Sequence, residues 1–424
     1  MSESITVTRL GDGMQGFGIP SSRFKTTRIH ISLFLPLQKA TAAQNALLPF
    51  LLTRACRRYP DYSALNRRLA ELYGATLYAD VDKMGDRQVL SLLIAGLNDA
   101  FASDGTQILT ECAALLRDLL FDPPVENGLF CEKDLESEKE RMVQRIEGEL
   151  NEKRVYAINR LTEEMCADEP FGLPRYGTVE EVRALTAQDM AGAWKRVLRE
   201  AFVNISVTGQ KDTSGILRPF SEAFAQIQRA PAKMPALLGG KAPKEPRMVE
   251  ETMGVTQGKL VLGFRTGAMG NDRAVIAVRM MADMLGGGPY SLCFENVREK
   301  RSLCYYCAAH FNRHKGLLLI DSGIEEENRQ KAYDAILEQA ESMRKGAFSE
   351  ELLHYSKLSM MDAAKGVYDS PSALDQWFTD RIFNETVTPE EYGRLIASVT
   401  KDQVVTAANA LQLDTVYFLG KNKE

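Results

Sequence analysis

Histidine is scarce in this sequence, with four residues at positions 30, 310, 314 and 354. His30 and His354 have no group of candidate metal ligands around them in the sequence. Long basic runs are absent and the net charge is −5, so nothing suggests a nucleic-acid partner. No window approaches about eighteen uninterrupted apolar residues, which leaves no candidate membrane-spanning helix. The opening MSESITVTRL lacks a basic segment followed by an apolar core, and so does not read as a secretory signal. The seven cysteines, at 56, 112, 131, 166, 293, 304 and 307, form no paired framework. Free thiols in a reducing cytoplasm are the expectation. Phosphate-loop patterns are missing as well. Gly286-Gly287-Gly288 has neither G-x-G-x-x-G nor a following Lys-Ser/Thr, so a helix C-cap and tight turn is favoured over a phosphate cradle. In GVTQGK (254–259), Leu260 stands where a hydroxyl would be needed.

What is present describes a globular chain. Its 424 residues are 45% hydrophobic and 26% charged, too long for one ordinary core. Strands are expected at 5–10, 28–35, 76–81, 89–96 and 203–208. Helices are expected at 46–56, 63–72 and 100–119, with one or two more between 132 and 166. Pro49 lacks an N–H and is placed in the first turn of the 46–56 helix. Thr186 reads as the N-cap of a helix over 187–198. Pro231, Pro235, Pro243 and Pro246 then fall together with Gly239-Gly240, which marks a linker. Beyond it the order repeats: strand 259–264, helix 273–285, helices over 326–345 and 349–383, a helix over 401–411 capped by Thr400, and strand 415–419. Letters repeat too. LTAQDM (185–190) answers VTKDQV (399–404), and VNISVTG (203–209) answers DTVYFLG (414–420). The expected fold class is α+β: two homologous α/β-sandwich-type halves, each an antiparallel-rich sheet packed with helices. The boundaries are 1–229, a linker at 230–250, and 251–424.

One stretch concentrates chemistry: GGGPYSLCFENVREKRSLCYYCAAHFNRHKG, 286–316. It reads as a glycine cap, an amphipathic helix and a hairpin, and it answers 61–82 in the first half. It sets Arg298 seven residues before Tyr305, near a helix-to-strand junction. Taken alone, the charged run 298–301 reads as a solvated helix end and Tyr305 as strand packing. Cys304 and Cys307, three apart on a strand, would face opposite sides and read as buried free thiols. His310 and His314 would suit zinc on a helix, but their segment reads as a hairpin turn.

The run LGGG followed by F-x-x-V-R-E-K-R-x-L-x-Y (285–305), with EPFGLPRYGTVEEVRALT (169–186), resembles the insulinase-like M16 metallopeptidase family over nearly the whole chain. Active members carry an inverted zinc motif, H-x-x-E-H, whose histidines bind the metal and whose glutamate acts as general base. Counting back from Arg58-Tyr59-Pro60 puts those positions on Ala46, Leu47, Leu48, Pro49 and Phe50, which supply no ligand and no base. The third-ligand position falls on Arg145; shifting the register would nominate Glu140 or Glu147 without restoring the histidines. The resemblance is therefore to the inactive-partner branch, whose nearest lineage is associated with aminopentanol modification of elongation factor P. It implies a non-catalytic subunit with no cofactor of its own and zinc only in a partner chain. Arg298 and Tyr305 would grip an extended peptide across a chamber from that metal. The rival expectation is an inactive scaffold or peptide-binding protein unrelated to proteolysis. A third is an enzyme using His310, His314 and a cysteine, should these converge.

Overall fold

The computed structural model describes residues 5–270, 273–383 and 387–422. Its strands are β1 (Thr6–Gly11), β2 (Met14–Ile19), β3 (Thr26–Pro36), β4 (Thr76–Met84), β5 (Arg87–Leu97), β6 (Phe202–Thr208), β7 (Arg247–Met253), β8 (Gly258–Arg265), β9 (Tyr306–Asn312), β10 (Leu317–Ile324) and β11 (Gln412–Lys421). They form two sheets, ordered β1-β2-β6-β3-β5-β4 and β7-β11-β8-β10-β9. Without β1 the two orders are the same. Each sheet also has its one parallel pair in the matching place, β2 with β6 and β7 with β11. A shared order with a shared exception is what duplication of one α+β domain produces.

The helices are α1 (Lys39–Leu52), α2 (Tyr62–Glu71), α3 (Ile108–Phe121), α4 (Glu132–Asn151), α5 (Lys153–Met165), α6 (Val179–Ala184), α7 (Ala187–Glu200), α8 (Ser214–Ala225), α9 (Ala274–Gly286), α10 (Arg329–Arg344), α11 (Glu350–Gly366), α12 (Pro371–Thr379), α13 (Pro389–Ser398) and α14 (Lys401–Asn409). Among the described residues, no helix is long and apolar enough to cross a membrane. The repeated LTAQDM and VTKDQV letters prove to be the same device. Thr186 and Thr400 each close a capping box, with Asp189 and Gln403 reaching back to the cap.

Two compact units result. The first takes residues up to 146, then 173–235 and 367–383; the second takes 147–172, 236–366 and the chain beyond 383. In the first unit, Ile29, Ile31 and Leu33 on β3 join the core under the helix layer. The alternate residues Arg28, His30 and Ser32 point to the other face. There α12 packs, with Phe378 5.6 Å from Phe17 and Asp375 reaching His30. In the second unit α5 plays that part, placing Leu161 and Met165 beside Val261. A Cβ on Gly263 would lie 2.9 Å from Leu161, so β8 stays bare where the helix crosses it. Thus α5 precedes the proline-rich segment yet belongs to the second unit, and α12 follows it yet belongs to the first.

Several elements differ from the sequence expectation. The first helix begins at Lys39, so Pro49 lies in its last turns, not its first. The start carries no capping side chain, and alanines 42, 43 and 46 give a weak periodic signal although all are buried. Pro49 is tolerated near the end, where its carbonyl accepts from the backbone N–H and the hydroxyl of Thr53. The helix expected at 100–119 begins instead at Ile108, because Gly105 at φ 74 and the Asp104 carboxylate, which accepts from the Thr106 N–H, build a turn before it. Strand β7 starts inside the proline-rich segment, and β9 starts at Tyr306.

Candidate functional site

The four positions that the resemblance equates with a metal site divide between α1 and α4. Ala46 and Phe50 are buried on α1 in the first core. Pro49 is buried beside them. Arg145 on α4 is exposed and stacks its guanidinium 4.2 Å from the centre of the Phe50 ring. The structure therefore brings Phe50 and Arg145 together as a cation–π pair. A methyl, a pyrrolidine, a phenyl and a guanidinium offer no lone pair to zinc, so these residues do not fit the ion.

Arg298 and Tyr305 do meet, in one open cleft of about 390 Å³ that Ser302, Cys304, Glu325 and Asn328 also line. Local backbone geometry sets this up. The segment Phe294–Glu299 is a π-helix, with the Lys300 N–H reaching back to Glu295 O at 2.9 Å. That wider turn is a rare form that is frequent at functional sites. It puts the Arg298 guanidinium 4.7 Å from the Phe294 ring centre, and its Nε lies 3.5 Å from Glu299. Ser302 then takes a left-handed conformation at φ 50, rare for a residue with a side chain, and turns the chain toward β9. The Tyr305 N–H bonds Gly323 O at 2.8 Å, which fixes its backbone beside β10. Tyr305 is 59% exposed, so core packing does not explain it.

The Tyr305 hydroxyl donates to Glu325 Oε1 at 2.9 Å, and Lys421 Nζ lies 3.5 Å from the other oxygen of that carboxylate. The bond to Glu325 raises the Tyr305 pKa above the usual phenol value. With its proton committed there, the phenol oxygen presents lone pairs to the cleft, which suits a peptide N–H. Arg298 supplies the complementary donors for a carbonyl.

The glycine run before this segment has a steric cause. A Cβ on Gly286 would sit 2.4 Å from the Ala309 backbone nitrogen, because the end of α9 presses on β9. Gly286→Val should cost about 1–3 kcal/mol by overpacking, read as a lowered denaturant midpoint; an unchanged midpoint would mean that α9 can back away.

The histidine-plus-cysteine arrangement does not assemble. His310 pairs with Asp321, Nε2 to Oδ1 at 3.0 Å, and Arg154 binds the same carboxylate. Cys307 lies three residues away on β9, on the opposite face. His314 sits in the turn before β10. Among the described residues, no three His, Cys, Asp or Glu side chains gather where they could hold a metal.

Cys304 and Cys307 are buried free thiols, as the sequence suggests, and Cys304 precedes the first residue of β9. Two groupings escaped the sequence reading. In the first unit, His30 lies in a buried cluster with Asp375 and Ser206. In the second, Arg265 is buried between Glu169 and Asp414. The polar letters alternating with apolar ones in RIHISLFL are the signal that could have exposed the first of these.

Comparison with known proteins gives the family and the fold. The family description "Peptidase M16 inactive domain" matches residues 184–360. The Bacillus subtilis (strain 168) protein named "Probable inactive metalloprotease YmfF" is 30% identical over 410 residues, covering 96% of each chain. The crystal structure of a conserved protein from Enterococcus faecalis V583 superposes with a TM-score of 0.90 at 26% identity, over 99% of both chains. A Pseudomonas fluorescens structure described as a peptidase M16 inactive domain shares the fold, with a TM-score of 0.80 at 16% identity over 99% of this chain and 98% of that one.

Proposed function

Because this chain belongs to the M16 peptidase family, in its inactive branch, we propose that it serves as the non-catalytic subunit of a two-chain zinc peptidase. It would contribute peptide contacts to a partner that carries H-x-x-E-H and the metal. The observation that carries this reading is an asymmetry within the chain. The positions equivalent to metal ligands hold no donor atom, and Arg145 stacks on Phe50 among them. The Arg298 and Tyr305 side chains, in contrast, open into a shared cleft. Strand β9 continues directly from Tyr305 and lies at the end of its sheet. A peptide adding along such an edge would be held by main-chain hydrogen bonds, with the guanidinium and the phenol meeting its carbonyls and N–H groups.

The test is co-purification from the host with a relative bearing an intact H-x-x-E-H, followed by peptide turnover with and without Arg298→Ala. Losing a charge-assisted hydrogen bond worth about 1.5–3 kcal/mol should lower turnover by the complex roughly 10- to 100-fold. The melting transition should stay in place, since Arg298 is half-exposed. If this chain alone yields about one zinc per molecule with chelator-sensitive hydrolysis, the proposal is wrong. If the relative is neither bound nor activated, a scaffold unrelated to proteolysis takes its place.

A further inference from the structure

One face of β9 carries more positive charge than it neutralises. Tyr306, Ala308 and His310 alternate onto that face, across from Gly323, Asp321 and Leu319 of β10. Asp321 is 1% exposed, and two side chains hold it. Arg154 of α5 binds both its oxygens, Nε to Oδ2 at 2.5 Å and Nη2 to Oδ1 at 3.2 Å. His310 Nε2 lies 3.0 Å from Oδ1 and 3.2 Å from Arg154 Nη2. The Arg154 guanidinium also stacks 4.5 Å from the centre of the Tyr306 ring, and Lys259 Nζ approaches the same ring at 5.6 Å from β8. Lys259 donates to a neutral partner, the Gln257 side chain, at 2.7 Å. One carboxylate therefore answers two cations and a histidine. Glu251, on β7 at the far end of the sheet, does not redress this, because Tyr156, Arg160 and Tyr417 already bind it.

The excess charge lies at the open margin of the sheet. Arg154 and His310 are half-exposed, and β9 is the last strand in the order. Between Tyr306 and His310 this face offers only the methyl of Ala308, itself partly exposed, which fills little of the space beside the two heads. Arg154 uses Nε and Nη2 on Asp321 and His310, which leaves Nη1 for a second carboxylate.

We propose that this face of β9 is a side-chain subsite for an acidic residue of a peptide paired along the strand. The inference rests on the reading of β9 as a peptide-binding edge and names its substrate class, extended peptides that carry Asp or Glu. A strand added beside β9 puts every second side chain above the same face, and its residue opposite Ala308 has its Cβ about 4.5–5.5 Å away. A carboxylate there reaches the Arg154 guanidinium, which suits it in shape and charge. A lysine there meets like charge. The acids of the cleft, Glu299 and Glu325, stand at the Tyr305 end of the strand, so the preference belongs to the residue facing Ala308 and not to the net charge of the peptide.

The test measures binding of three capped, fluorescein-labelled serine/threonine nonapeptides to the full-length chain by fluorescence anisotropy. They differ only in a central Glu, Gln or Lys. The Glu peptide should bind roughly 3- to 10-fold more tightly than the Gln peptide, with Lys weakest. Added salt should narrow the gap. Arg154→Gln keeps a neutral donor beside Asp321 and should erase the preference for Glu over Gln. Ala308→Glu leaves the Asp321 pairs in place and fills the subsite with a carboxylate of the chain itself, so the preference should turn toward Lys; this second variant decides the matter if the first loses its fold. Equal binding of the three peptides, tighter binding of the Lys peptide, or a preference unchanged in Ala308→Glu overturns the subsite and leaves the peptide edge standing. If none of the three binds, the reading of β9 as a peptide edge falls and the subsite falls with it.

Discussion

Asp375→Ala should destabilise the first unit by about 3–5 kcal/mol at neutral pH, the usual effect of removing one partner from a buried charged pair. Asp375 on α12 is 1% exposed. Its Oδ2 lies 2.8 Å from His30 Nδ1 and 3.5 Å from Arg28 Nη2, and the Ser206 hydroxyl donates to Oδ1. The other ring nitrogen of His30, Nε2, lies 3.0 Å from the Ser91 hydroxyl and 3.2 Å from that of Ser32. Alanine leaves the imidazole, the guanidinium and the serine without their shared acceptor inside the fold. Both tryptophans, Trp194 and Trp377, belong to this unit. Their fluorescence during urea unfolding therefore reports on it directly. A midpoint equal to that of the native chain would show that α12 is not anchored through Asp375.

The same carboxylate gives the loss a pH dependence of known sign. Burial pushes the Asp375 pKa up, but His30, Ser206 and Arg28 outweigh it and hold the group below its ordinary value. A carboxyl with a depressed folded pKa stabilises fully above its unfolded value, near 4, and loses that contribution as pH falls through the folded value. The gap between native chain and Asp375→Ala should thus be widest above about pH 5 and close in more acidic solution. A gap that widened on acidification would contradict the assignment.

Legibility in the sequence followed the range of the interaction. The capping boxes at Thr186 and Thr400 are local chemistry, a hydroxyl and a residue three positions on, and could be read from six letters. The duplicated order of strands was readable because each copy repeats its own periodicity. What decides unit membership was not. Nothing in PSALDQWFT says that this helix lies on β3 and β6; Asp375 meeting His30 and Ser206, with Phe378 on Phe17, fixes it. The same holds for the candidate site. Spacing alone could set Arg298 and Tyr305 seven residues apart, but their convergence needed the π-turn and the left-handed Ser302.

Arg265→Met is expected to cost the second unit about 3–5 kcal/mol, for the same reason but with a sharper control. Arg265 Nε lies 2.9 Å from Asp414 Oδ2, its Nη2 lies 2.7 Å from Glu169 Oε1, and Nη2 also donates to Met165 O. Glu169 keeps a second cation, since Lys315 Nζ lies 2.7 Å from its other oxygen. Asp414 is 0% exposed, and its other cation, Arg247, lies 3.9 Å away. Removing Arg265 therefore leaves Glu169 paired, and Asp414 with the Thr415 hydroxyl at 2.8 Å and one long, partly solvated cation, so the penalty should reside at Asp414. The double variant Arg265→Met/Asp414→Asn removes that stranded charge and should recover at least half of the loss, whereas Arg265→Met/Glu169→Gln should recover little and leave Lys315 with a weaker partner. Hydrogen exchange on β8 and β11 reads the effect within this unit. Equal recovery in both doubles would move the penalty off Asp414. Glu169 opens the EPFGL run, which in the sequence was only a pattern of letters. Here it is the carboxylate that lets an arginine and a lysine lie buried beside the end of α5 where it packs against β8, the contact that seats a helix from before the linker on a sheet that follows it.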